Sequence, residues 1–360
     1  MFLERLHLLN FKNYADYEAV LSERINCFAG PNGVGKTNLL DAIHYLAFCK
    51  SYFNPIDSQN IRHDEGFFMI QGIFKNNGES SEIYCGIKRN QKKIFKKNKT
   101  EYERLSEHIG QYPLVMISPS DSDLVNGSSE GRRKFLDGII SQYDRGYLDR
   151  LIAYNNALRQ RNVLLRQFAD TRVFDAESLD IWDNMLALHG DGIHQVRLQF
   201  LKEFIPLFNA YYQFVSNSRE VAQLDYECSY EGHHLHTALM TSLSRDRAVG
   251  YTSMGPHRDD LDFKLNGFPL KKYGSQGQQK SYLIALKLAQ YEFIRDRKNT
   301  LPLLLLDDVY DKLDAERFGK LLEKVSGEGF GQVFITDTHA ERIREALEKT
   351  GVDFKLFEVA

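Results

Sequence analysis

Gly30-Pro31-Asn32-Gly33-Val34-Gly35-Lys36-Thr37 constrains this chain more than any other stretch. It fits the pattern glycine, four free positions, then glycine-lysine-serine/threonine. Arg24 to Ala29 before it reads as a short strand through Ile25, Cys27 and Phe28. Asn38 to Cys49 after it carries Leu39, Leu40, Ile43, Leu46 and Ala47 at helical spacing. A strand, a glycine-rich turn and a helix in that order make a phosphate cradle. Glycines let backbone N–H groups curl round phosphate oxygens without Cβ clashes, and the helix aims its positive end at the same point. Lys36 is then expected to bridge the β- and γ-phosphates and Thr37 to offer its hydroxyl to Mg²⁺.

Two further segments complement the loop. Leu303 to Leu306 is an apolar strand that ends in Asp307 and Asp308. Such an end is often a solvated acidic turn. On one chain with a phosphate loop it reads as the partner carboxylates, Asp307 for Mg²⁺ and Asp308 to orient or deprotonate the attacking water. Tyr273-Gly274-Ser275-Gln276-Gly277-Gln278-Gln279-Lys280 is a second glycine-rich turn, leading into an apolar-periodic helix from Ser281 to Tyr291. It reads as a plain capped helix or as a second anion-seeking helix end. One loop already serves one nucleotide, so the second end suggests a site completed by another copy, through Ser275, Gly277 and Gln278.

The rest of the chain sets the frame. With 360 residues, two or three domains are expected. A net charge of −3 excludes a global basic field, so nucleic-acid binding would need a local patch. Cys27, Cys49, Cys85 and Cys228 form no CxxC pair and read as reduced thiols. The start lacks a signal-peptide core and no stretch is long enough to span a membrane, so a cytoplasmic protein is expected. Phe2 to Phe11 and Tyr17 to Leu21 read as paired strands, and residues 67–117 as β-rich. Glu130 to Ala169 and Ala176 to Tyr212 read as two helices of an antiparallel hairpin. Leu151, Leu158 and Leu165 recur in the first. Leu179, Leu186, Ile193, Phe200 and Leu207 recur in the second, with Trp182, His189 and Val196 as companions. The pair is either a projecting arm or lobe, or two core helices. The expected division is 1–128 for the N-terminal part with the phosphate loop, 129–216 for the helical lobe or arm and 217–360 for the C-terminal part with the acidic strand end. This is one α/β domain split in sequence.

These motifs resemble the ABC-type ATPases of the SMC-like branch. Ser275-Gln276-Gly277-Gln278 is similar to their signature, Asp311-Lys312-Leu313-Asp314 to their D-loop, and His339 stands where their switch histidine is expected. Within that branch the match is to the RecF family. Asn10-Phe11-Lys12-Asn13-Tyr14 resembles its NFRNY, and Pro119 through Gly127 with Arg132-Arg133-Lys134-Phe135-Leu136-Asp137 its PEDxxLVxGxPxxRRxFLD. Gly255-Pro256-His257-Arg258-Asp259-Asp260-Leu261 resembles its GPHRxDL, and Gly274 to Lys280 its SQGQQR. The match runs in order along the chain. Lys12 and Lys280 stand where arginine is usual, which keeps charge and loses a bidentate fork. Ser120 and Ser129 depart from the pattern as well. Asp308 stands where most ABC ATPases have glutamate, and a shorter acid implies slow hydrolysis.

The resemblance implies an ABC-type, SMC-like ATPase head with an inserted helical lobe or short coiled-coil arm. It implies ATP and Mg²⁺ as cofactors and Asp308, Lys36, His339 and Ser275 as catalytic residues. It further implies a DNA repair and replication protein of the SOS response that dimerises on ATP. Such a protein binds single- and double-stranded DNA and helps load the strand-exchange protein at gaps. RecR is the expected partner, with RecO directly or through it. From the residues, Lys88, Arg89, Lys92, Lys93, Lys96, Lys97 and Lys99 put seven basic residues in twelve. Lys92, Lys93, Lys96 and Lys97 are the DNA candidates, against a merely solvated hairpin. The alternative surface is Arg145, Arg150, Arg159, Arg161 and Arg166, with Arg132 and Arg133 structural or near the nucleotide. A transporter ATPase subunit shares the loop, signature and carboxylates, and a non-hydrolysing switch would use ATP only to hold a dimer.

Overall fold

A computed structural model describes residues 1–216, 220–230, 232–308 and 315–360. Its chain divides into two units. Met1–Asp121, Phe214–Asn217 and Lys280–Ala360 make the first, Ser122–Gln213 and Ser218–Gln279 the second.

In the first unit β1 (Phe2–Phe11) and β2 (Tyr14–Val20) form an antiparallel pair. β3 (Ile25–Ala29) is buried at every residue and runs through the phosphate loop into α1 (Lys36–Phe48). β4 (Phe67–Asn76) then pairs with β1 and with β5 (Glu79–Lys88), followed by β6 (Ile94–Lys97) and β7 (Thr100–Glu101). Asn77 and Gly78, at φ 49° and 85°, make the tight turn between β4 and β5 that strand twist favours. The resulting antiparallel sheet has the order β2-β1-β4-β5-β6-β7. β8 (Leu114–Ile117) closes this part of the chain.

The second unit begins with α2 (Ser122–Asn126), α3 (Ser129–Tyr143), α4 (Arg145–Thr171) and α5 (Ala176–Ser216). β9 (Ala222–Glu227), α6 (Leu235–Val249), β10 (Asp260–Leu265), β11 (Phe268–Pro269) and the short α7 (Leu270–Tyr273) follow. The chain then enters α8 (Gln276–Lys298) and returns to the first unit with β12 (Leu303–Leu306), α9 (Ala315–Ser326), β13 (Val333–Asp337), α10 (Ala340–Glu348) and β14 (Phe354–Glu358). A five-stranded parallel sheet of order β14-β3-β13-β12-β8 results.

One apolar cluster joins the two sheets of the first unit through α1. Leu6, Phe11 and Phe68 come from the antiparallel sheet, Leu303, Leu305 and Phe334 from the parallel one, and Leu39, Ile43 and Leu46 from α1. That burial fixes the start of α1, and so the phosphate loop. Two histidines are locked in the same layer. His108, fully buried, donates from Nε2 to Leu46 O at 2.6 Å, and His44 bonds Lys50 O at 3.0 Å. Burial pushes both imidazoles from 6.5 down to about 4. Between those values the unfolded chain binds protons that the folded one excludes, so stability rises with pH there. The unfolding free energy from urea titration is expected to fall as pH drops through this window, by about 1.4 kcal/mol per pH unit per group. His108→Gln, which keeps a donor for Leu46, should flatten the fall; an unchanged slope would contradict the assignment.

The helices differ from expectation in four ways. The run from Glu130 is two helices, because Asp144 leaves helical backbone and caps α4, its side chain accepting from Tyr147 N at 2.8 Å. The row alongside Leu179, Leu186, Ile193 and Phe200 is Asp183, Gly190 and Arg197, all buried, while Trp182, His189 and Val196 are half-exposed. Beyond Pro206 the buried row passes from Leu207 to Phe208 and Tyr211. Gly190 is a close approach, since a Cβ there would lie 2.3 Å from Leu235. Arg161, an expected arm arginine, has no exposed surface and bonds Asp183 at 2.5 Å and Asp246 at 2.6 Å.

The domain boundaries also fall elsewhere than 128 and 216. Residues 218–279, read as part of the C-terminal ATPase portion, pack with the helices. Arg132 holds Asp260 through two 2.7 Å bonds, and Arg133 donates to Asp259 O at 2.6 Å. Arg197 donates to Asp137 at 2.8 Å and to Pro256 O at 2.9 Å. The RRKFLD and GPHRDDL stretches are thus two halves of one partly buried polar lock, and the helices form a lobe with their own sheet.

Candidate functional site

The phosphate loop is shaped by two crowded glycines. A Cβ on Gly30 would sit 2.1 Å from Val359 O. Gly35, at φ 109°, would place one 2.4 Å from Asn13 Nδ2. Asn13 braces the turn from outside, donating to Val34 O at 2.8 Å and accepting from Asn38 at 2.7 Å. Lys36 is almost fully buried and closes the loop on itself, donating to Gly30 O at 2.8 Å and Pro31 O at 2.9 Å.

Thr37 Oγ1, on the next residue, donates to Asp307 Oδ1 at 2.8 Å. The same oxygen accepts from Thr336 Oγ1 at 3.0 Å, and Ser118 Oγ lies 3.4 Å from Oδ2. Burial raises the Asp307 carboxyl above the usual range, and nearby Asp308 adds to it. A buried carboxylate beside a threonine hydroxyl is a hard-oxygen pair that suits Mg²⁺. Asp308 adopts φ 45° and donates its N–H to Thr336 Oγ1 at 2.8 Å. Loop and strand end therefore meet at Thr37 and Asp307. His339 is the exposed residue preceding α10, and its N–H bonds Asp337 Oδ1 at 2.7 Å. The Asp311 to Asp314 stretch lies outside the described residues.

The signature turn belongs to the second unit. Ser275 and Gln278 form a reciprocal cap, with Ser275 N–H to Gln278 Oε1 at 2.7 Å and Gln278 N–H to Ser275 Oγ at 3.3 Å. Gln278 is also held by Glu220 at 2.6 Å. Ser275 itself is exposed and Gly277 half-buried.

The lysine patch is split. Lys93 is turned inward: Nζ donates to Cys49 O at 2.5 Å, pairs with Asp57 at 2.8 Å and lies 4.9 Å from the Tyr45 ring centre. Lys97 donates to Gln111 at 2.8 Å. Lys92 is exposed and Lys96 half-exposed. Lys93→Glu would set two carboxylates together in a pocket that exposes only 13% of the lysine side chain, and should destabilise the fold by about 2–4 kcal/mol. Urea unfolding checks this; full stability of Lys93→Glu would contradict it.

Several site residues carried no assigned role in the sequence. Asn13, Thr336 and Asp337 act through geometry that spacing does not reveal, although Asn13 lies in the NFKNY stretch and Thr336 ends an apolar strand. Beside Asn13 opens a cavity of about 590 Å³, lined also by Lys12, Phe53, Asn54, Gln59 and His63. Lys12 there pairs with buried Asp41 at 2.5 Å.

The RecF/RecN/SMC N terminal domain matches residues 2–356. The DNA replication and repair protein RecF of Phocaeicola vulgatus is 51% identical over all of this chain and 96% of its own length. The chain belongs to the RecF family. The RecF of Flavobacterium johnsoniae is 48% identical over 99% of both chains. A solved structure of the recombination mediator protein RecF-ATPrS in the RecFOR pathway superposes with a TM-score of 0.88 at 30% identity, covering 100% of this chain and 96% of that one. An archaeal Smc head from Pyrococcus furiosus, at 15% identity and a TM-score of 0.56, shares the fold. The RecF family is one of DNA replication and repair proteins with SMC-like ATPase heads. Among the described residues, no helix is long and apolar enough to cross a membrane.

Proposed function

We propose that this chain is an ATP-dependent DNA-binding protein of recombinational repair and replication restart, dimerising on ATP and hydrolysing it slowly. The observation that carries this reading is the Thr37–Asp307 bond of 2.8 Å, which joins the phosphate loop to the two-carboxylate strand end. Gly30 to Thr37 hold the phosphates, and Lys36 exchanges its loop carbonyls for β- and γ-oxygens. Thr37 and Asp307 would hold Mg²⁺, which neutralises phosphate charge when bound. Asp308 orients or deprotonates water, and His339 lies at the end of the neighbouring strand as the γ-phosphate sensor. Ser275, Gly277 and Gln278 of a second copy complete the site, in keeping with the exposure of Ser275. Single- and double-stranded DNA are the polymer partners, with Lys92 and Lys96 the candidate contacts that face outward. RecR, and RecO directly or through it, are the protein partners in loading the recombinase at gaps.

DNA affinity measured with ATP, ADP and a non-hydrolysable analogue, with mass measured in parallel, tests the whole reading. ATP and the analogue should give a dimer that binds DNA more tightly, and ADP a monomer or weak dimer. Identical mass and affinity in all three states would overturn it.

A further inference from the structure

Seven residues upstream of Ser275 lies an unusual surface. Phe268 and Tyr273 are each 60% exposed, and their rings meet edge to face with centres 5.7 Å apart. Val221, 59% exposed, lies at the same sheet end, its backbone bonded to Asn266. Large apolar side chains grouped this way mark an interaction surface.

The aromatic pair cannot move independently of the signature turn. Gly274 N–H bonds Leu270 O at 2.9 Å, and a Cβ on Gly274 would lie 2.7 Å from that oxygen, so only glycine fits between Tyr273 and Ser275. Gln279, from the first turn of α8, reaches back to Leu270 O at 3.4 Å and Gly274 O at 3.2 Å. The Ser275–Gln278 cap fixes the remaining residues. These bonds tie Tyr273, and through its ring contact Phe268, to the turn that carries Ser275.

We infer that Phe268 and Tyr273 are an apolar anchor of the ATP-dependent dimer, docking on a second copy of this chain beside its nucleotide. The inference rests on the composite-site reading above, and continuity with Ser275 names the occupant. A single-stranded nucleic acid is the other surface that aromatic groups beside lysines could meet. The geometry disfavours it: the rings are inclined at 65° with no parallel slot for a base, and Lys272 lies 5.2 Å from the Tyr273 ring centre. Buried anchors of this kind dominate interface energies, whereas the lysines around them would steer the approach.

The test uses the full chain with ATP and with a non-hydrolysable analogue, reading dimerisation by sedimentation and nucleotide binding by titration. Phe268→Ser and Tyr273→Ser should each weaken the nucleotide-induced dimer by about tenfold, and the double variant by about a hundredfold. Monomer ATP affinity should stay unchanged, because neither residue belongs to the phosphate loop. Tyr273→Phe should retain wild-type dimerisation, since it keeps the apolar ring. Wild-type dimerisation by the double variant, while Ser275→Arg abolishes the dimer, would overturn the anchor and leave the composite site standing. A wild-type chain that stays monomeric with the analogue would overturn both. Loss of single-strand DNA affinity in monomeric Phe268→Ser with the dimer constant intact would assign the pair to nucleic acid instead.

Discussion

Lys36→Ala should lose nucleotide affinity by at least about a hundredfold while the fold persists. Lys36 sits almost buried at the first position of α1, and its ammonium is held by two carbonyls of its own loop at 2.8 and 2.9 Å. That arrangement aims a positive charge at the centre of the turn before any phosphate arrives. Removing it takes away charge-assisted bonds to the β- and γ-oxygens in a sheltered place, where they are strongest. The apolar cluster that carries α1 contains none of the lysine, so unfolding should remain cooperative and its midpoint close to wild type. Titration with ATP, alongside urea unfolding, checks both halves. Wild-type affinity in a folded Lys36→Ala protein would defeat the assignment of the loop.

Asp308→Asn should slow turnover by about a hundredfold or more while ATP still binds. Asparagine is the informative replacement for a backbone reason as well as a chemical one. Asp308 stands at φ 45°, a region that asparagine enters more readily than most residues, so the strand end should keep its shape. The N–H to Thr336 at 2.8 Å is a main-chain bond and survives the change. What disappears is the negative charge that orients or accepts a proton from water. If ATP binding closes a dimer that hydrolysis opens, this variant should accumulate as a long-lived dimer. Single-turnover hydrolysis with mass measurement reads both effects. Unchanged turnover would move the catalytic role away from Asp308.

Much of this site was legible in the residues, because phosphate binding demands a particular local chain. Gly30, Gly35 and Lys36 are forced by close backbone approach and charge, and an all-apolar strand such as Leu303 to Leu306 suits a sheet covered on both faces, as the parallel one is here. The lobes were less legible. Arg161 looks like an exposed arm residue in sequence, yet its guanidinium group is paired with aspartates from distant segments. Lys93 misleads in the same way: charge density is visible along a hairpin, but the Asp57 that claims it comes from another loop. The assignment of residues 218–279 to the helical lobe depends on the Arg132–Asp260 and Arg133–Asp259 bonds, which span more than a hundred residues and leave no local period. Asn13 lies in the NFKNY stretch and acts by holding Val34 O, a contact that only the folded turn creates.

In the proposed composite site, hydrolysis is shared between two chains, the phosphate loop from one and the signature turn from the other. Mixing Ser275→Arg with Lys36→Ala tests it most directly. Ser275→Arg adds bulk and charge at an exposed turn and leaves its own loop intact, whereas Lys36→Ala leaves its own signature intact. Each alone should be inactive. In a mixed pair, one site retains a wild-type Lys36 and a wild-type Ser275, and two-fold symmetry makes the other site doubly defective. ATPase activity should recover in part, above that of either variant alone. Heterodimers that form, seen by mass, and hydrolyse no more ATP than either variant alone would contradict the account.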